Sequence, residues 1–215
     1  MSNDATDTSE DPGELGIRAA IAGGRLGAAV ERARTAYGAA IFRLAYRMMK
    51  DPVAAEDVVQ DTLLRIHRSL ATVRIGTSLR AWVMSVAHHC ALDELRRRGR
   101  RRRRLHEGAE LPDVVDEGPQ PSHTVEDRQR LRLLHECLDT LPRRIRDSIV
   151  LHFGQELTFD QVGAILHAKG STVQVRVNRA LPRLRAQLRR RGIDLSRRPA
   201  DDGATSRRSL VGARS

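Results

Sequence analysis

The 215-residue chain holds 38 Lys and Arg against 27 Asp and Glu, a formal charge of +11, so it is matched to a polyanionic partner such as nucleic acid or an anionic membrane surface. Its two cysteines, Cys90 and Cys137, form no Cys-x-x-Cys pair, which excludes a disulfide scaffold and a thiolate zinc site and favours a reduced, cytosolic protein. No apolar run approaches the ~20 residues needed to cross a bilayer, and the acidic start is the reverse of a signal peptide, so no membrane insertion is expected. Length fits one ordinary domain or two small ones, and the pattern below favours two.

Residues 1–14 are polar and acidic and predict a disordered tail. A helical segment over 15–37 is interrupted at Gly23-Gly24, and a second over 39–50 puts Ile41, Leu44, Ala45 and Met48 on one face. Asp51-Pro52 is a strong helix start, because the Asp carboxylate caps free backbone N–H groups and Pro at the first helical position forfeits no hydrogen bond. In that helix Val59, Leu63, Ile66 and Leu70 predict a buried stripe, and Glu56, Asp57, Gln60 and Asp61 an acidic patch. Two readings of the patch stand equal here: carboxylates placed favourably near a helix N-terminus, at about 0.3–1 kcal/mol each, or a docking surface for a basic partner.

A short loop with Arg74 leads to Thr77 or Ser78 as the cap of a long helix. Leu79, Val83, Val86 and Cys90, with Trp82 and Leu95 near the same side, predict its buried stripe. The helix then runs into Arg96–Arg98 and Arg100–Arg104. These guanidinium groups repel one another unless a polyanion lies alongside, although 36 of the 38 basic residues are Arg because Lys50 and Lys169 are the only lysines, and a compositional bias accounts for the run equally well. Asp93 and Glu94 stand at helical spacing to pair with Arg97 and Arg98. His88-His89-Cys90 is rejected as a metal site, since adjacent helix positions diverge by about 100°.

Residues 105–124 mix Asp and Glu with Gly and Pro and predict an extended linker. A second unit begins at Val125: one helix through Leu131, Leu134, Leu138 and Leu141, another from Pro142 ending at Gly154. Thr158-x-x-Gln161 reads as a capping box, and Ser171-x-x-Gln174 as the cap of the next helix. Two short helices joined by about four residues, the second rich in Gln, Asn and Arg, predict a helix-turn-helix. Gln174, Arg176, Asn178, Arg179 and Arg183 combine base-reading amides with phosphate-reading guanidiniums, whereas an inert face would mix Glu with Lys or Arg. Pro182 removes the bond to the Asn178 carbonyl and costs about 3 kcal/mol in a regular interior, which predicts a kink or break at 180–182. Residues 192–215 predict a flexible basic tail.

In this order and spacing, DPVAAEDVVQDTLLRIHRSL (51–70), SLRAWVMSVAHHCALDELRRR (78–98) and LPRRIRDSIVLHF (141–153) with the helix pair at 158–184 resemble a bacterial RNA polymerase sigma factor of the sigma-70 family, extracytoplasmic-function type. The resemblance covers about residues 15–190. It implies an all-α fold of two domains, a sigma-2-like domain over 15–104 and a sigma-4-like domain over 125–191. By the same resemblance Glu56, Asp57, Gln60 and Asp61 meet core polymerase. Arg74, Ser78, Ser85, His89, Arg96, Arg97 and Arg100 hold the opened −10 element with a flipped-out base, and Ser171, Thr172, Gln174, Arg176, Asn178, Arg179 and Arg183 read the −35 element. The acidic linker would thread towards the active-site cleft. The implied partners are core polymerase, promoter DNA and an anti-sigma factor, with no cofactor, metal or catalysis. His89 stands where the family has Asn, and His167 where it has the turn Gly.

Two other classes compete. A small nucleic-acid enzyme lacks support, because there are no paired Cys ligands and no His-x-Glu motif. A free-standing helix-turn-helix regulator would bind duplex DNA alone, whereas a sigma factor acts only with core polymerase.

Overall fold

The computed structural model describes residues 12–70, 78–105 and 125–193, and among these there are helices and no strands. The predicted tail before Pro12, the loop with Arg74, the linker and the tail beyond Ile193 lie outside the described residues. Four helices form the first unit: α1 (Pro12–Ala22), α2 (Leu26–Met49), α3 (Pro52–Ser69) and α4 (Leu79–Leu105). The second unit holds α5 (Val125–Asp139), α6 (Arg143–Ile149), a π-type turn over Val150–Gly154, α7 (Phe159–Leu166) and α8 (Gly170–Arg190).

The Gly23-Gly24 turn falls where the sequence predicts it, with Gly24 at φ 70°. The expected gap at residue 38 is absent: α2 runs through it, because Ala33, Tyr37, Ala40, Ile41 and Leu44 are all buried and hold both halves of the helix to one core. The glycine there costs about 1 kcal/mol against Ala, less than this burial returns. Glu14, placed in the disordered tail by composition, belongs to α1, where it pairs with Arg18 and accepts a bond from the Leu79 backbone N–H at 3.1 Å. It thus caps the start of α4 from another helix, alongside Ser78, whose Oγ accepts from the Ala81 N–H at 3.3 Å.

Asp51 caps α3 as expected, accepting from the Ala54 N–H at 3.1 Å. The buried stripe of α3 is Ala54, Ala55, Val58, Thr62 and Ile66, with Leu70 closing it, while Val59 and Leu63 are only half-buried. The apolar pattern could not reveal this shift, since small Ala and Thr residues are what allow α3 to lie close to its neighbours. In α4 the buried apolar set is Leu79, Ala81, Val83, Met84, Ala87, Cys90 and Ala91, with Trp82 and Val86 at its edge.

The second unit is built round α8, whose Val173, Val177, Ala180, Leu184 and Leu188 are buried. This stripe explains why Pro182 does not break the helix: α8 is continuous to Arg190. Pro182 lies on the exposed side, where water can bond the Asn178 carbonyl that it leaves free, and buried residues on both sides pin the helix. The capping box at Thr158 and Gln161 is present with both bonds, at 3.2 and 2.9 Å. The predicted cap at Ser171 is not: Lys169 is the N-cap of α8, without a side-chain bond, and Ser171 and Thr172 lie in its first turn.

Candidate polymerase-docking and nucleic-acid surfaces

On α3, Glu56, Asp57 and Gln60 are exposed and Asp61 is half-buried. Two exposed apolar residues that the sequence reading passed over flank them: Val53 is 67% and Leu64 55% exposed. At the helical period Val53, Asp57, Gln60 and Leu64 fall within about 40° of one line. An acidic patch with exposed apolar ends suits a protein partner better than it suits N-terminal electrostatics alone.

The arginine run is not the row of unpartnered cations that its repulsion suggests. Glu94, 6% exposed, accepts from Arg97 Nε at 2.6 Å and Arg98 Nε at 3.0 Å. Arg98 also reaches Asp51 at 2.7 Å, Arg97 lies 3.7 Å from Asp61, and Arg96 bonds Asp93 at 3.2 Å. Arg98 and its Asp51 bond, followed by the Ala54 cap, hold the Asp51 carboxyl below the usual carboxylate range against partial burial. The carboxylates of α3 and α4 therefore stitch the first arginines to the domain, while Arg100, Arg101 and Arg103 remain exposed.

Between the C-terminal half of α3 and the N-terminal half of α4 lies an open cavity of about 280 Å³. Arg65, Arg68 and Ser69 enter it from α3, and Trp82, Ser85, Val86 and His89 from α4. Ser85 and His89 thus come together, whereas Ser78 is a helix cap and Arg74 lies outside the described residues. His89 Nδ1 is 2.7 Å from the Ser85 carbonyl oxygen. A carbonyl can only accept, which assigns the proton to Nδ1 and leaves Nε2 as an acceptor in the neutral ring.

On α8, Ser171, Gln174, Val175, Asn178, Arg179 and Arg183 are exposed, and Thr172 and Arg176 are half-buried on its flanks. Val175, 48% exposed, sits among the amides and adds an apolar contact of the kind that meets a thymine methyl. The α7–α8 turn is tight: a Cβ at Gly163 would stand 2.5 Å from the Ala168 carbonyl oxygen and 2.9 Å from the Gly170 nitrogen. His167 adopts φ 52° at the end of α7. The turn therefore keeps a left-handed residue but fills it with His, at a strain of order 1 kcal/mol.

The two units pack together, and the face around His89 is at their junction. His89 and His167 ring centroids are 5.9 Å apart, and buried His88 has Nε2 3.6 Å from Asp147 of α6. Arg80 donates to the Gln155 carbonyl at 2.8 Å. Deeper, Arg47 of α2, 8% exposed, donates to the His135 carbonyl at 3.1 Å and to Asp139 at 3.3 Å. Asp139 also takes Lys50 and Arg146. Burial opposes its charge, yet these three cations hold its carboxyl below the ordinary range.

Burial and the Arg47 charge push His135 down to about 4. Between that value and its ordinary 6.5 the unfolded chain binds a proton that the folded chain refuses, so stability falls as pH drops through this window. Asp139 adds a second loss at lower pH, below its ordinary 3.8 and down through its lowered folded value. Thermal melts from pH 7 to 4 should show a falling midpoint, and His135→Gln should flatten the slope between 6.5 and 4; an unchanged slope would refute the assignment.

No group of three or more His, Cys, Asp or Glu suited to a metal occurs among the described residues, and none of their helices is long and apolar enough to cross a membrane. The helix-turn-helix with its open amide and guanidinium face, joined to a helical unit bearing an exposed acidic and apolar stripe, defines a two-domain helical transcription factor. Comparison places it more narrowly. Residues 34–101 match the family model Sigma-70 region 2, and residues 137–186 match Sigma-70, region 4. The chain is 31% identical over 147 residues to the RNA polymerase sigma factor SigV of Bacillus subtilis, covering 68% of this chain and 83% of that protein. It is 34% identical over 152 residues to the ECF RNA polymerase sigma factor SigE of Mycolicibacterium smegmatis, covering 69% of this chain but 57% of that longer protein. The chain therefore belongs to the sigma-70 family of RNA polymerase sigma factors, in its extracytoplasmic-function branch. The fold agrees with that of RpoE of Bartonella quintana, solved in complex with the anti-sigma factor NepR, at a TM-score of 0.61 and 23% identity, over 74% of this chain and 96% of that one. CnrH, solved in complex with the cytosolic domain of CnrY, gives 0.59 at 20% identity, over 84% and 99%.

Proposed function

We propose that this chain is a cytoplasmic, non-catalytic initiation subunit that brings core polymerase to promoters through three surfaces. The α3 stripe of Val53, Glu56, Asp57, Gln60, Asp61 and Leu64 docks on a basic surface of core polymerase. Ser85 and His89 in the cavity, together with Arg74 and Ser78, hold a flipped −10 base, and Arg96, Arg97 and Arg100 carry the opened strand. Flipping costs a few kcal/mol of pairing and stacking, which a pocket with aromatic walls and cations along the backbone offsets. Ser171, Thr172, Gln174, Arg176, Asn178, Arg179 and Arg183 meet the −35 duplex, with Arg176 at the edge. The domain division is the one read from sequence, 15–104 and 125–191, and an anti-sigma factor is the natural regulator, as in the complex of RpoE with NepR.

The observation that carries this reading is the open face of α8, aligned with the region 4 match, in a chain whose region 2 match carries an exposed acidic and apolar stripe. The test is run-off transcription with and without core polymerase. Promoter-specific transcripts should need both proteins, and Asp61→Arg should weaken core binding in a pull-down by roughly tenfold, about 1.4 kcal/mol. Binding of Asp61→Arg equal to wild type would remove Asp61 from the docking surface.

A further inference from the structure

The cavity between α3 and α4 holds two guanidinium groups of different standing. Arg65 is committed to Asp93 at 3.0 Å, and this bond, the first of its influences, raises its pKa above the usual arginine value. Arg68, at the same wall, makes no hydrogen bond or ion pair among the described residues. No carboxylate among the described residues lines the cavity. Its volume of about 280 Å³ lies at the small end of ligand sites, which run from about 300 Å³ upward, and suits one ring system. Trp82 and His89 supply aromatic walls, and His89 spends its Nδ1 proton on the Ser85 carbonyl. One planar donor fork, on an exposed side chain, is therefore left without an acceptor among the described residues in a base-sized space.

We propose that Arg68 determines base specificity in this cavity and that the pocket selects a guanine or cytosine over adenine or thymine. The inference rests on the reading of the cavity as the −10 base pocket. A guanidinium fork needs two acceptors side by side in one plane. Guanine offers N7 and O6, and cytosine offers N3 and O2. Adenine sets its amino donor beside N7 and beside N1, which turns one prong of the fork into a donor–donor clash. Thymine carries two carbonyls, but the N3–H donor stands between them. Arg65, held by Asp93, keeps the wall cationic without competing for the base.

The test uses the full chain assembled with core polymerase and fork-junction DNA whose non-template strand is single-stranded across the −10 element. Each −10 position is filled in turn with A, C, G or T, and dissociation constants are read by fluorescence anisotropy. At one position guanine or cytosine should bind about tenfold tighter than adenine or thymine, within the range of a bidentate contact. Arg68→Gln should bring the preference at that position to within twofold. Arg68→Lys should keep most of the affinity and still lose the preference, because an ammonium has charge but no fork. Equal melting midpoints for the variants and wild type separate this from a folding defect. A preference for adenine or thymine at every position, or a guanine or cytosine preference that survives Arg68→Gln, overturns the proposal while leaving the base pocket standing. Failure of the assembled holoenzyme to favour any −10 sequence overturns both.

Discussion

Gly163→Ala should lower the stability of the second domain by about 3 kcal/mol and abolish −35 recognition. The added Cβ would lie 2.5 Å from the Ala168 oxygen, 2.9 Å from the Gly170 nitrogen and 3.2 Å from the Lys169 carbonyl carbon. All three are backbone atoms of the turn that sets α8 against α7, so no side chain can swing aside. Overpacking of this kind costs about 1–3 kcal/mol, here at the upper end because relief requires moving α8 itself. For a unit of this size each kcal/mol lowers the melting midpoint by about 4–8 °C. The same shift would carry Gln174 and Asn178 out of register with the groove. Gly99→Ala is the control: a Cβ there meets nothing within 4 Å, and helix propensity predicts a gain of about 0.5–1 kcal/mol. Thermal denaturation with anisotropy on a −35 duplex reads both. A Gly163→Ala protein that melts and binds like wild type would show the turn to be softer than its geometry implies.

His167 stands where the resembling family has the turn Gly, yet His adopts the left-handed conformation at modest cost, while close approach is secured by Gly163 and Gly170, where a Cβ would strike Asp160. Periodicity located the helices, the acidic face of α3 and the exposed polar face of α8 because each is a one-dimensional pattern. It missed the unbroken α2 and α8 because both depend on burial against other helices, which outweighs a local Gly or Pro. It left two features of the arginine run unread: Asp93 and Glu94 were legible partners at helical spacing, but Asp51 and Asp61 reach Arg98 and Arg97 from another helix. Glu14 capping α4 across 65 positions is of the same kind. Val53, Leu64 and Val175 were legible as apolar residues on polar faces but were lost among residues that matched the core pattern more strongly.

Asp139→Ala should open the junction between the two units. It removes the only carboxylate bonded to Arg47 among the described residues, and a charge buried to 8% exposure cannot stay there unpaired: breaking such a pair by one partner costs about 3–5 kcal/mol. Separation of the units rehydrates Arg47 at a smaller cost than unfolding, so the loss should appear as opening. Promoter binding demands the same movement. Elements named for positions −10 and −35 are about 25 base pairs apart, roughly 85 Å at ~3.4 Å per base pair, whereas α8 spans about 32 Å at ~1.5 Å per residue and begins next to a turn whose His167 ring lies 5.9 Å from His89. The nineteen residues 106–124 between α4 and α5, at no more than ~3.5 Å each, give a reach of at most about 65 Å. Small-angle scattering should therefore give a larger radius of gyration for Asp139→Ala than for wild type, together with tighter binding of −10 single strand by the assembled holoenzyme. The double variant Arg47→Leu, Asp139→Leu should close again, since an apolar pair of similar volume replaces a buried ion pair at little or no cost, and the two changes will then be strongly non-additive. A radius of gyration for Asp139→Ala equal to that of wild type would mean that Arg80, His88 and the apolar contacts hold the junction without the ion pair, and that polymerase itself must supply the opening.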